Sequence, residues 1–253
     1  VDDCNLTELN AAESVDRGYV THNDWLAHTN RYAYAWKLLT SGPLRETKTL
    51  LDVGGGKLQL PYFMWRNRWK PAEGFQYWGL ELRATEKWVP AEDTHWQVPL
   101  NLVRTDFLRD DLTQCDGWPG QFDVVVCYET FEHVPRAQGR PMMEKLFAWT
   151  RPGGTLLFST PNAGVSDSTA ENHVDQATGE SREWTYIDKL SLAREVGFNV
   201  VDTFGTFCGV THLPPEVRER FATAPVLLSA KKFLTHAAFT TFVSCAYPAH
   251  SNN

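Results

Sequence analysis

The sequence predicts an α/β domain built on an open, mostly parallel sheet with helices packed against it. Two observations predict this. Short apolar runs recur from Thr49 onward, and turns or helix-like segments separate them. Short buried strands alternating with helices join into a parallel sheet through right-handed crossovers. A chain of 253 residues, 42% hydrophobic and 22% charged, can bury the core this needs.

Each element has a local reason. Residues 23–40 read as a helix: Asn23 or Asp24 caps it, Trp25, Leu26, Thr29, Tyr32, Ala33 and Trp36 recur at helical spacing, and Ser41-Gly42-Pro43 ends it. Thr49 to Val53 is the first strand and leads into Gly54-Gly55-Gly56. Gln76–Leu82, Leu102–Phe107, Phe122–Tyr128 and Thr155–Thr160 are further strands. Residues 139–150 form a helix closed by Arg151-Pro152-Gly153-Gly154. A helix at Tyr186–Val196 ends at Gly197, and a strand follows at Phe198–Phe204. Residues 213–240 read as helical, with Pro214-Pro215 at the start, and Phe239–Ser244 is the candidate for a last, antiparallel edge strand that is expected to continue past residue 253. Residues 1–45 are then an N-terminal helical extension and 46–253 the main domain.

Charge and cysteine usage exclude several classes. A net charge of -7 gives no general electrostatic reason to bind duplex nucleic acid, and duplex DNA is not an expected partner. Arg66, Arg68 and Lys70 read as solvated surface. The five cysteines form no C-x-x-C pair, which argues against a zinc knuckle or a disulfide framework and suits a reducing, cytoplasmic setting. Val1-Asp2-Asp3 opens no signal peptide and lacks an initiator Met, so a trimmed or excised segment is expected. The most apolar late stretch is broken by Lys231 and Lys232, so no membrane span is expected. Seven of the ten tryptophans lie between Trp25 and Trp96 and are read as core, an aromatic-lined pocket being the alternative.

In an open α/β sheet, ligands bind outside the carboxyl ends of the strands. The first such end reads Leu51-Asp52-Val53-Gly54-Gly55-Gly56, where Gly54 and Gly56 let the backbone turn and approach a ligand. Dinucleotide enzymes place G-x-G-x-x-G in the same position, but the third glycine is absent here and Asp52 sits inside the strand.

These residues resemble the D/E-x-G-x-G motif of the class I S-adenosylmethionine-dependent methyltransferases. The resemblance implies a Rossmann-like fold with a mostly parallel seven-stranded sheet, and S-adenosylmethionine as cofactor. It assigns the ribose hydroxyls to Glu81 after the second strand and the adenine amino group to Asp106 after the third. The expected cofactor set is Asp52, Gly54, Gly55, Gly56, Glu81, Asp106, Phe107 and Tyr128.

The segment 122–162 resembles the ubiquinone-pathway O-methyltransferases in Glu129-Thr130-Phe131-Glu132-His133-Val134-Pro135 and in Ser159-Thr160-Pro161-Asn162. It also resembles the small-RNA 3′-terminal 2′-O-methyltransferases, which carry a downstream His before a segment similar to Glu183-Trp184-Thr185. Both resemblances imply a divalent cation on Glu129, Glu132 and His133 that organises substrate hydroxyls. Positions i, i+3 and i+4 share one face of a helical turn, so these three can converge. The donor set suits Mg²⁺, Mn²⁺, Fe²⁺ or Zn²⁺ about equally. His173 or Asp175 completes the shell, although His173 stands ten residues before Glu183, farther than in the RNA enzymes. His133 and Glu129 are the catalytic candidates, His133 as general base for a hydroxyl acceptor. Alternatively the Glu132-His133-Val134 tail merely starts the next helix. Tyr19, His22 and Tyr32 stand where related enzymes place a lid, and each also reads as a packing or surface residue.

The leading expectation is methyl transfer to an oxygen, or a nitrogen, of a small molecule. An RNA 3′-end 2′-O-methyltransferase is the runner-up, and a non-catalytic scaffold with a decayed fold is the alternative from another class. A nicotinamide oxidoreductase is the remaining one. DNA base methylation fits poorly, because the fourth strand ends in Cys127-Tyr128-Glu129-Thr130 and not in a D-P-P-Y-type motif.

Overall fold

A computed structural model describes residues 22–56, 58–82, 98–163, 173–205, 230–231 and 240–246. The chain forms two compact units, Val1–Val126 with Trp149–Gly154, and Cys127–Ala148 with Thr155–Asn253.

The first unit holds α1 (His22–Thr40), β1 (Thr49–Val53), α2 (Gln59–Arg66), β2 (Gln76–Glu81), β3 (Leu100–Arg104) and β4 (Phe122–Tyr128), whose last two residues belong to the second unit. Its strands run β3-β2-β1-β4 and every pair is parallel. Leu50, Leu51, Val53, Leu80, Val124, Val125 and Val126 are fully buried, as strands covered on both faces must be. In register, Val53 lies opposite Leu80 and Glu81 opposite Arg104, so β1, β2 and β3 end nearly level. Tyr32 packs in this core: its hydroxyl donates to Gln59 at 2.5 Å and its ring meets Phe63. Tyr19 lies outside the described residues, and only the backbone of His22 is described. Of the seven tryptophans between Trp25 and Trp96, Trp69 and Trp78 are buried and Trp36 and Trp65 half-buried, while Trp88, Trp96 and the side chain of Trp25 lie outside the described residues; Trp118 meets Trp78, Phe122 and Trp149 edge-to-face, with centroids 5.3, 5.0 and 6.0 Å away.

The second unit is built from the turn after β4, α3 (Gly139–Trp149), β5 (Thr150–Pro161), α4 (Tyr186–Glu195), β6 (Asn199–Gly205), β7 (Ala230–Lys231) and β8 (Thr240–Ala246). The residues of α3 and β5 near 149–154 fall in the first unit. Here the order is β5-β8-β6-β7, and all three pairings are antiparallel. The expected final antiparallel strand is β8, set between β5 and β6 rather than at an edge.

Four expectations change. The third strand is Leu100–Arg104, not Leu102–Phe107, because Asp106 accepts the amides of Arg109 and Asp110 and turns the chain there. The fifth begins at Thr150, not Thr155: Gly153-Gly154 lies inside it, and a Cβ on Gly154 would come within 2.9 Å of the Asp123 carbonyl. That glycine serves a close backbone approach instead of a stop. Ala230–Lys231 is a strand, and the rest of the expected helix 213–240 up to residue 239 lies outside the described residues. Eight strands are present among the described residues where seven were expected, one of them the two-residue β7. In those residues no helix is long and apolar enough to cross a membrane.

Asp123 ties the first unit together at the opposite strand ends. Its Oδ2 accepts the amides of Lys48 at 2.7 Å and Thr49 at 2.8 Å, while Arg151 donates to Oδ1. Burial pushes the Asp123 carboxyl up, but Arg151 and the two amides outweigh it and hold it below its ordinary 3.8. A carboxylate lowered in the folded state contributes stability above its unfolded pKa and loses it as pH falls through the folded value. Asp123→Ala should therefore cost roughly 1.5–3 kcal/mol near neutral pH and little in strong acid. Urea unfolding of both proteins across that range checks this, and a loss independent of pH contradicts it.

Candidate functional site

The glycine turn continues the sheet before leaving it. Gly54 donates to Leu80 O at 2.8 Å, and Leu58 closes the turn onto Gly55 O at 2.8 Å. Gly56 has φ of 53°, and among the described residues nothing lies within 4 Å of where a Cβ would stand, so its requirement is conformational. Gly55 is needed sterically, since a Cβ there would stand 2.9 Å from Asp52 Oδ2.

Glu81, half-buried at the end of β2, accepts the Gly56 amide on Oε2 at 2.8 Å and the Leu82 amide on Oε1 at 2.9 Å. Thr105 N donates to Glu81 O at 2.9 Å, which brings Asp106 beside the same rim. Asp106 accepts the Leu108 amide at 3.3 Å and pairs with Arg109 at 3.4 Å. Phe107 is buried against Trp149. Asp52 lies beneath the loop, where Tyr77 donates to its Oδ2 at 2.5 Å. Burial raises Asp52 to about 7, the Tyr77 hydrogen bond opposes this, and the charge of Glu81 adds to it. Tyr128 is buried at the end of β4, in the second unit.

In the second unit the turn after β4 departs from the expected helical geometry. Glu129 has φ of 50°, and only Phe131–His133 forms a 3-10 turn, so Glu129 does not share a helical face with Glu132 and His133. The end of β5 shapes this turn. Glu129 N donates to Ser159 O at 2.9 Å, Ser159 Oγ to Glu129 Oε1 at 2.9 Å, and Thr160 Oγ1 to the buried Glu132 Oε2 at 2.8 Å.

A hairpin erases the distance in sequence between His173 and Glu183. Val174 pairs with Ser181, Asp175 N donates to Glu180 O at 2.8 Å, and Arg182 N to His173 O at 2.8 Å. His173 Nδ1 then meets Glu183 Oε1 at 2.8 Å. Donor atoms of Glu132, His133 and His173 all lie within 4.8 Å of one another. Glu129 stands outside that group. The Asp175 carboxylate instead serves the hairpin, accepting the amides of Ala177 and Thr178 and a bond from Arg182.

Sequence reasoning did not single out Lys189. It is fully buried, and its Nζ donates to Pro161 O at 2.8 Å and Thr160 O at 3.2 Å. Burial lowers it to about 7 against the pull of Glu129, Glu132, Glu183 and Asp188. A signal was present: Lys189 shares the inner stripe of α4 with Leu192 and Ala193 at helical spacing.

A family profile described as a methyltransferase domain matches residues 25–203, more than half of the chain. The chain belongs to that family. It is 32% identical over 116 residues to a ubiquinone biosynthesis O-methyltransferase of Erwinia tasmaniensis, a stretch covering 46% of this chain and 43% of that protein. The chain thus spans less than half the length of this curated relative. Its fold is similar to that of the 1,6-didemethyltoxoflavin-N1-methyltransferase of Burkholderia thailandensis, solved with 1,6-didemethyltoxoflavin and S-adenosylhomocysteine. The TM-score is 0.56 at 16% identity, over 96% of this chain and 88% of that one. The methyltransferase domain of bacterial CtHen1-C is likewise similar, with TM-score 0.54 and 16% identity over 88% and 100% of the two chains. At these identities the likeness establishes the Rossmann-like methyltransferase fold.

A carboxyl raised by folding contributes stability that is complete below its unfolded pKa of 3.8 and is lost as pH rises through about 7. Asp52→Asn should remove that loss, so the variant gains on the parent protein between roughly pH 4 and pH 8. Thermal midpoints of both proteins falling in parallel over this interval would contradict it.

Proposed function

We propose that this methyltransferase-family chain moves the methyl group of S-adenosylmethionine to an oxygen, or a nitrogen, of a small molecule, with a divalent cation held by Glu132, His133 and His173. The observation that carries the reading is the bond from Gly56 N to Glu81 Oε2, which sets a carboxylate beside a glycine backbone at the carboxyl ends of β1 and β2.

The residues present fit the cofactor. Glu81 is a carboxylate at this rim, an acceptor of the kind that vicinal ribose hydroxyls require. Asp106 and Phe107, just past the end of β3, would hold the adenine, the Gly54–Gly56 backbone would hold the remainder, and Asp52 with Tyr77 supports the loop from below. S-adenosylmethionine supplies a methyl group on a positively charged sulfur, so alignment of the acceptor accounts for much of the rate.

The fit of the cation rests on His173. A metal-binding imidazole usually donates its other N–H to a carboxylate, and Glu183 accepts from Nδ1 here, leaving Nε2 for a ligand. When bound, a divalent cation would make a substrate hydroxyl more acidic. With His133 engaged as a ligand, Glu129, whose Oε1 accepts a hydrogen bond from Ser159 Oγ, would take the proton of the acceptor. The ubiquinone-pathway relative supports an oxygen acceptor, and the net charge of -7 supports a small molecule over a polynucleotide. A terminal RNA ribose is the second reading, favoured by the contact that joins Glu183 of the Glu183-Trp184-Thr185 segment to His173. The five cysteines form no C-x-x-C pair, which supports a reducing, cytoplasmic setting.

Glu81→Ala should weaken S-adenosylhomocysteine binding by about 10–100-fold, the loss of a charge-assisted hydrogen bond worth roughly 1.5–3 kcal/mol. Calorimetric titration reads this directly, and unchanged affinity would remove Glu81 from the site. Methyl transfer from labelled cofactor to small-molecule acceptors should stop in excess EDTA and return with Mg²⁺ or Mn²⁺. Full turnover in chelator would take the cation out of the reaction, and transfer only to RNA bearing a free 3′ end would select the second reading.

A further inference from the structure

Lys189 is a buried charge that the reaction above does not use. An ammonium placed in a core is costly unless it is bonded, and a Leu or Met at this inner position of α4 would avoid the cost. Its partners explain its presence. Among the described residues Nζ touches no carboxylate; it donates to the carbonyls of Thr160 and Pro161, at 3.2 and 2.8 Å. Thr160 is therefore held from two sides: its carbonyl accepts from Lys189, while its hydroxyl donates to Glu132. The neighbouring Ser159 hydroxyl donates to Glu129.

We infer that Lys189 is a positioning residue for the cation site, fixing the backbone at Thr160–Pro161 so that the Thr160 hydroxyl aims the Glu132 carboxylate. The inference rests on the cation reading proposed above. Lys189 touches neither cation nor substrate in this arrangement; it acts through Thr160. A core staple alone would affect unfolding but leave ligand affinities alone, whereas a positioning residue changes how well Glu132 is presented.

Mn²⁺ titration of the full chain by calorimetry tests this, with S-adenosylhomocysteine binding as an internal control. Lys189→Met should bind Mn²⁺ about 10–100-fold more weakly, the usual loss when a supporting residue of a metal site is removed, with S-adenosylhomocysteine affinity unchanged. Lys189→Arg, which keeps donors and charge, should recover a large part of that loss. Thr160→Val should weaken Mn²⁺ binding as well, and the double variant should be no weaker than the weaker single one, because both changes cut the same link. Equal Mn²⁺ affinity in the parent protein and Lys189→Met, or additive losses in the double variant, would overturn the inference. Should Lys189→Met fail to fold, Lys189→Arg and Thr160→Val carry the test: unaltered Mn²⁺ affinity in Thr160→Val overturns it. A parent protein that binds S-adenosylhomocysteine but no Mn²⁺ retires the cation reading itself and this role with it.

Discussion

Two adjacent hydroxyls at the end of β5 hold the acidic turn of the second unit in place. Consecutive strand residues point to opposite faces, so Ser159 and Thr160 reach Glu129 and Glu132 on either side of one backbone. Without such donors a carboxylate as buried as Glu132 would be expensive to keep charged. The turn that results is strained: Glu129 occupies the left-handed region that residues other than glycine seldom adopt. Strain of this kind costs about 1–3 kcal/mol and persists only where the surroundings fix it. Here a backbone bond and a side-chain bond from Ser159 do so together.

The first unit solves a different problem with the same economy of parts. Parallel pairing in register makes β1, β2 and β3 end nearly level, so residues just past each strand meet along one rim. Glu81 and Asp106 stand there because β2 and β3 deliver them, while Asp52, one residue short of the end of β1, is turned under the loop and bonded to Tyr77. Three acids that look equivalent in the sequence thus occupy two environments.

Much of this was legible from residue order. Strands β1 and β4 and the glycine turn announce themselves as apolar runs bounded by turn residues, and their limits agree with the structure. The errors have physical causes. β3 was displaced because Asp106 bends a chain whose local composition still reads as strand. β5 was shortened because glycines that allow close backbone approach look like glycines that stop an element. The helical interval of Glu129, Glu132 and His133 suggested a shared face, but long-range bonds from β5 impose another backbone on it. Lys189 was overlooked because polarity is read as exposure, and its partners are carbonyls that carry no mark in the sequence.

The hairpin between His173 and Glu183 separates interval from position. Its two arms are joined by the Val174–Ser181 bridge, and its tip is a turn closed by Asp175 and Gly179. Adding or removing rungs in pairs would lengthen or shorten the ribbon while leaving the residues at its base facing each other. The His-to-Glu interval is therefore free to drift by even steps without disturbing the contact. A search pattern that demands a fixed gap would discard chains that keep the same geometry, whereas one that demands a closable ribbon would retain them.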